Sequence, residues 1–360
     1  MSEAASMFNA SRAGLIIREK QPANLEFPFA SLGPVTPTNE FFVRTHFPVP
    51  AIRARDWTLT VDGEVERGLV LTYDDLLRMP ATTAPVLLEC AGNGRAQLVP
   101  KAKGLLWDTG AVGTAEWTGV PLSVVLEKAG VKKGAVDVIF QGADKGEVDD
   151  PKSPGVVHFE RSLPLAKAMR PEVLLAYRMN GKDLTPDHGF PVRAIVGGWY
   201  GMASVKWLTH VTVTATPFEG FWQSLEYAYW KRDRERPTLT AVTEVQVKAQ
   251  IARPALAEAV QAGKSYRVFG AAWSGESDVA GVEVSTDAGK TWSEAPLLGD
   301  SVPFAWRLWE FPWDVPKTTG RYKVMARATD TKGHTQPEKH DSDRRTYMIN
   351  FAFTVEVEVM

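Results

Sequence analysis

A run of mixed charge, Lys231-Arg232-Asp233-Arg234-Glu235-Arg236 followed by Pro237, separates two stretches of different character. Six consecutive charged side chains cannot all be buried, so the run is read as solvated surface at a linker or domain boundary. Beyond it come short strand-like segments with turn residues between them: 266–275, 279–285, 306–311, 321–329 and 351–359. That pattern predicts an all-β sandwich from about residue 237 to the end. The 360 residues suffice for two domains, each burying its own core. No internal repeat or low-complexity segment is found.

The first stretch is organised differently. Residues 1–37 are read as an extended segment ahead of a domain spanning 38–236. Alternation over 57–65 ends at Asp62-Gly63, a strand and turn. Thr72 is placed to cap a short helix over 71–77, with Asp74 and Asp75 in its first turn and Pro80 as its stop. A second helix follows Pro121 and ends before Gly130. Residues 136–140 and 173–177 read as strands, the latter leading to an Asn180-Gly181 turn, and 163–169 as a short helix. Strands and helices interleave without a strict βαβ repeat, which predicts an α+β domain with mixed sheets. Residues 22–50 show no helical period. Within them, Phe41 to His46 alternate, predicting an edge strand that either exposes its polar face or aims Arg44 and His46 into an anion site.

Cys90 is the only cysteine, so it is either a small buried hydrophobe or a reactive or ligating sulfur. The apolar run 84–88 before it reads as a buried strand. Ala91-Gly92-Asn93-Gly94 after it reads as a tight turn, and Arg95 just beyond favours the thiolate. A later stretch, 187–208, holds His188, Arg193 and Lys206 around Gly197, Gly198 and Gly201. Basic groups and approachable backbone suit a phosphate-bearing cofactor, though a solvated glycine-rich connection would carry the same residues. Neither a Walker loop nor a GxGxxG motif occurs, which disfavours a nucleotide. A net charge of −2 predicts no general affinity for nucleic acid or anionic membrane. No apolar run approaches the ~20 residues a membrane span needs. The first residues lack the features of a secretory leader, so the protein is read as cytoplasmic, or periplasmic if a leader has been trimmed. His158, His210, His334 and His340 are left without a role.

Taken together, these pieces resemble the sulfite oxidase family of molybdenum enzymes. The resemblance runs from about Thr38 to Val359. It is carried by Phe42-Val43-Arg44-Thr45-His46, Glu89-Cys90-Ala91-Gly92-Asn93-Gly94-Arg95, Gly104-Leu105-Leu106-Trp107, Asp187-His188-Gly189-Phe190-Pro191-Val192-Arg193 and Val205-Lys206-Trp207-Leu208. Ala272-Trp273-Ser274-Gly275 and Ala305-Trp306-Arg307-Leu308-Trp309 extend it into the second domain. It implies a molybdopterin-binding domain followed by an immunoglobulin-like domain that makes a homodimer. It implies Cys90 as the thiolate ligand of molybdenum. It implies Phe42, Val43, Arg44, Thr45, His46, Asp144, His188, Arg193, Ser204, Val205 and Lys206 as holders of the pterin and its phosphate. Arg44, Arg95, Trp107, Tyr227 and Arg345 would line the substrate pocket, with Tyr229 a neighbouring competitor for Tyr227. The expected activity is oxidation of sulfite to sulfate by oxo transfer. No haem-attachment motif occurs, so electrons are expected to leave to a separate acceptor such as a cytochrome.

Departures from the family pattern fall on the substrate side. Gly94 stands where the animal enzymes have a second basic residue, and 344–350 lacks the usual Trp-Asn pair; an insertion at about 146–155 bears instead on the placing of Asp144. The resemblance therefore leaves open a same-fold enzyme acting on another small oxyanion or a sulfoxide, nitrate included. The residues alone also allow a Cys-His nucleophile using His46 or His188, or a non-catalytic binding module.

Overall fold

The computed structural model describes residues 14–233 and 235–360. Two five-stranded sheets build the first domain. One pairs Thr82–Glu89, Val112–Pro121, Val173–Met179 and Lys182–Asp183 in antiparallel order, with Arg193–Val196 also on Val173–Met179. The other runs Leu69–Thr72, Thr58–Gly63, Leu208–Thr214, Asp137–Gly146, Val157–Pro164. Leu208–Thr214 pairs in parallel with Thr58–Gly63, so this sheet is mixed. Leu59, Val61, Phe140 and Val211 from the mixed sheet share one core with Val120, Leu175 and Val196 from the antiparallel one. Trp57 serves this core and Trp117 a smaller adjoining one, each with its N–H satisfied: Trp57 Nε1 donates to Leu208 O at 2.8 Å and Trp117 Nε1 to Val86 O at 3.1 Å.

Helix is sparse. Tyr73–Leu77 is capped by Thr72, whose hydroxyl accepts from Asp75 N–H while the Asp75 carboxylate accepts from Thr72 N–H. Leu122–Ala129 ends at Gly130, with φ +73°. Asn180 and Gly181 both take positive φ, as a two-residue hairpin turn requires. Two local readings need correction. The segment 163–169 begins as strand: Val157–Pro164 takes its first two residues and the helix is only Leu165–Ala168. Phe41 to His46 is no edge strand. Its one bridge is Leu25 to Val43, and it belongs to no named strand. Ahead of it, Ile16–Glu19 and Asn24–Glu26 form a hairpin.

The second domain is two sheets over a common core. Lys248–Arg253, Ser265–Trp273 and Arg307–Asp314 form one; Ala259–Val260, Thr354–Val359, Gly320–Asp330, Val279–Ser285 and Ser293–Ala295 form the other. Val268, Ala272 and Trp309 meet Val282, Val284, Val324 and Val357 between them. The domains are joined by a buried ion pair. Lys248 Nζ lies 3.0 Å from Glu89 Oε1, and Trp273 Nε1 donates to Glu89 Oε2 at 2.9 Å. Glu89 immediately precedes Cys90.

Candidate active site

The Thr82–Glu89 strand ends by delivering Cys90 onto the glycine turn. Cys90 N–H donates to Ala111 O at 2.9 Å and Asn93 N–H returns to Cys90 O at 2.8 Å. Asn93 braces the turn, donating to Glu89 Oε1 at 3.0 Å and accepting from Ala111 N–H at 3.1 Å. Gly94 sits at φ +92°, and a Cβ on Gly92 would lie 2.4 Å from Arg95 Nη2. The positive φ calls for a glycine at Gly94, while a side chain at Gly92 would displace the Arg95 guanidinium. Cys90 is free and 8% exposed.

Two cavities meet at Cys90. The inner one is lined by Phe42, Arg44, Thr45, His46, Asp144, His188, Arg193, Ser204 and Lys206 among others. Nine of the eleven residues the resemblance implies for cofactor binding thus converge on one space. Val43 and Val205 are the exceptions: both are buried and neither lines the cavity. Their contribution is through backbone, Val43 pairing with Leu25 and Val205 O accepting from Ala194 N–H at 2.8 Å.

The inner cavity is electrostatically incomplete. Arg193 donates to the carbonyls of His188 and Ser204 at 3.1 and 2.9 Å. Lys206 Nζ donates to Asp187 O at 2.8 Å and lies 4.2 Å over the Trp207 ring. Arg44 donates to Asn24 Oδ1 and Thr45 O. These partners are neutral, and the lining sets three cations against two carboxylates, Asp144 and Asp187. Burial pushes Arg193 down to about 9 and lowers Lys206, while His188 falls to about 4 through burial and then the charges of Lys206 and Arg193. Burial also raises the Asp144 carboxyl, against the pull of Lys206, and Asp144 Oδ1 is buried without a hydrogen-bond donor. An anionic ligand that also offers N–H donors satisfies both deficits. A phosphate-bearing pterin is such a group, so these residues fit it.

The outer cavity holds the other set. Arg44, Cys90, Arg95, Trp107, Tyr227 and Arg345 all line it. Tyr227 follows a single π turn, Trp222–Glu226, and its hydroxyl lies 2.6 Å from His46 Nε2. Burial, then Arg44 and Lys206, hold His46 well below its usual range, so it stays neutral and can accept a hydrogen bond from the Tyr227 hydroxyl, which burial keeps protonated. Trp107 Nε1 is a buried donor with no partner, suited to an oxyanion. Arg95 is partly committed, donating from Nε to Thr346 O and from Nη1 to Leu105 O. Arg345 Nη1 is taken by three backbone carbonyls. Tyr229 lines neither cavity and sits opposite Thr240 in the Ala228–Lys231 strand.

Several residues here had no mark in the sequence. Asn24 is fully buried and accepts from both Arg44 and Thr45. Arg161 donates to Trp222 O and Val242 O, anchoring the turn before Tyr227. Tyr347 and Glu226 are bonded to each other in the outer cavity wall. Each of these contacts spans long sequence separations, and only for Glu226, beside Tyr227, does any motif point to the place.

The fold and its paired cavities belong to a class that the chain's similarities define. Residues 46–222 match the family model described as an oxidoreductase molybdopterin binding domain, and 239–360 match a Mo-co oxidoreductase dimerisation domain. The protein is a molybdenum oxidoreductase. More narrowly, it belongs to the sulfite oxidase family: it is 37% identical to sulfite oxidase of Gallus gallus over 90% of its own length and 73% of that protein's. It is also 35% identical to NADH nitrate reductase of Ulva prolifera, across 88% of this chain and 40% of that one. The sulfane dehydrogenase SoxCD from Paracoccus pantotrophus superposes with a TM-score of 0.83 at 28% identity, covering 97% of this chain and 89% of that one.

Proposed function

We propose that the protein oxidises sulfite to sulfate and passes the electrons to a separate acceptor such as a cytochrome. In this reading Cys90 supplies a thiolate ligand to molybdenum, a soft donor suited to that metal. Asp144 and the inner-cavity cations hold the pterin and its phosphate. The bound molybdenum cofactor supplies oxo transfer and stores the two electrons. The chain's own residues do the rest. Arg44, Arg95 and Trp107 hold the anion by charge and N–H donation. Tyr227 orients the bound anion, its hydroxyl held in place by the bond to His46 Nε2.

The observation that carries this reading is the meeting of both cavities at one buried cysteine, with Arg44 and Tyr227 shared by the two and Arg95, Trp107 and Arg345 on the outer side only. The similarity to sulfite oxidases supports sulfite as substrate. The similarity to a nitrate reductase favours a second reading, reduction of nitrate in the same cavity. Turnover driven by sulfite with an artificial electron acceptor, against turnover of nitrate with an artificial donor, separates the two. Sulfite-driven turnover is expected; nitrate turnover alone would overturn the proposal.

The domain limits proposed are 38–236 for catalysis and 237–360 for an immunoglobulin-like domain through which two copies pair. The two packed sheets and the dimerisation-family match support that assignment. A single-chain mass in solution, by sedimentation, would argue against pairing.

A further inference from the structure

Four consecutive residues of the second domain are fastened to the catalytic side. Arg345 Nη1 donates to the carbonyls of Leu225, Glu226 and Ala228. Thr346 O accepts from Arg95 Nε at 3.2 Å. The Tyr347 hydroxyl donates to Glu226 Oε1 at 2.7 Å. Met348 N–H donates to Ala91 O at 2.8 Å, one residue past Cys90. Arg345 and Met348 take φ of +58° and +51°, conformations that persist in non-glycine residues where surrounding contacts enforce them. The strap thus ties the thiol turn to the tyrosine turn.

Tyr347 is the strap residue that reaches the substrate side. It is 5% exposed and lines the outer cavity. Its ring lies 5.2 Å from that of Tyr227, with the guanidinium of Arg95 at 5.4 Å and that of Arg345 at 5.8 Å. It therefore packs against two groups assigned to the anion, Tyr227 and Arg95. We propose that Tyr347 is a specificity-determining residue. Its ring limits the site to a small oxyanion, and its hydroxyl holds the Glu226 carboxylate away from the arginines that must receive that anion. The inference rests on the outer cavity being the anion site of the proposed function. Stacking fixes the guanidinium planes. The hydroxyl bond matters because a carboxylate released beside Arg95 and Arg345 would compete with the substrate for the same donors. Burial, then Tyr227 and Glu226, keep the phenol protonated, so it donates throughout the working pH range.

The test uses the full cofactor-loaded chain and three variants: Tyr347→Phe, Tyr347→Ala and the double variant Tyr347→Phe/Glu226→Gln. Molybdenum content and melting temperature check that each variant is intact. Tyr347→Phe is expected to raise KM for sulfite about fivefold, with a smaller change in kcat, because it frees the carboxylate. Neutralising that carboxylate in the double variant should restore KM, which a merely structural role would not do. Tyr347→Ala should weaken sulfate binding, measured by calorimetry without turnover, about tenfold. It should also shift the preference toward the bulkier benzenesulfonate. Unchanged KM in Tyr347→Phe together with an unchanged sulfate-to-benzenesulfonate ratio in Tyr347→Ala would overturn the role of Tyr347 alone. A wild-type protein that neither turns over sulfite nor binds sulfate would overturn the reading beneath it as well.

Discussion

Cys90 is the residue on which the chemistry turns. Replacing its sulfur by oxygen changes little volume, so Cys90→Ser should shift folding stability by only about 1 kcal/mol while abolishing turnover. Thermal melts and sulfite assays on one preparation check both halves, and full turnover by the variant would remove the thiolate from the account. The thiol could be picked out in advance because it is unique and stands between an apolar run and a glycine turn. Asn24 and Tyr347 could not, since what makes them part of the site is contact across 20 and 121 residues. Tyr227→Phe removes the bond to His46 and should lower kcat about a hundredfold, with a smaller change in sulfate affinity. His188 offers a test of the buried cavity. Its folded pKa, about 4, lies below the unfolded value, so the unfolded state binds the extra proton. Stability should therefore be full above about pH 6.5 and fall by up to about 3 kcal/mol as pH drops toward 4. Urea unfolding of cofactor-free protein measures the slope, which His188→Gln should flatten.

Elements differ in how far their own sequence determines them. The Tyr73–Leu77 helix and the Asn180-Gly181 turn follow from local chemistry, a capping threonine and a pair that tolerates positive φ. Thr72→Ala should accordingly cost about 1 kcal/mol, read from urea unfolding. The segment Phe41 to His46 fails the same logic. Its alternation is that of a strand, yet it finds only one bridge, because its side chains are drawn to the inner cavity and to the Asn24 carboxamide instead of to a sheet edge. The boundary near Pro164 was blurred for a similar reason: pairing with Asp137–Gly146 carries the strand into residues with helical pattern. In the thiol turn, Gly92→Ala would push its new methyl into Arg95 Nη2. Loss of sulfite affinity with the fold retained is the expected outcome, measured as KM against melting temperature.

At the scale of the whole molecule, the site belongs to both domains. Glu89 reaches Lys248 and Trp273 from the residue before the thiol, and both members of the ion pair are almost wholly buried. Removing one partner leaves an uncompensated buried charge, so Lys248→Met should destabilise the protein by about 3–5 kcal/mol and should also disturb the Cys90 turn. The sheets of the C-terminal half were legible from patterning, because periodicity reports which faces are buried. The fastening between the domains was not, since it is made by individual long-range bonds. The central claim is that one buried cysteine joins a cofactor cavity to an anion cavity. Its most direct test is the molybdenum content of the purified protein, followed by sulfite addition while the metal-to-thiolate absorption is watched. The account predicts about one molybdenum per chain and bleaching by sulfite. Protein from cells able to make the cofactor that carries no molybdenum would contradict it.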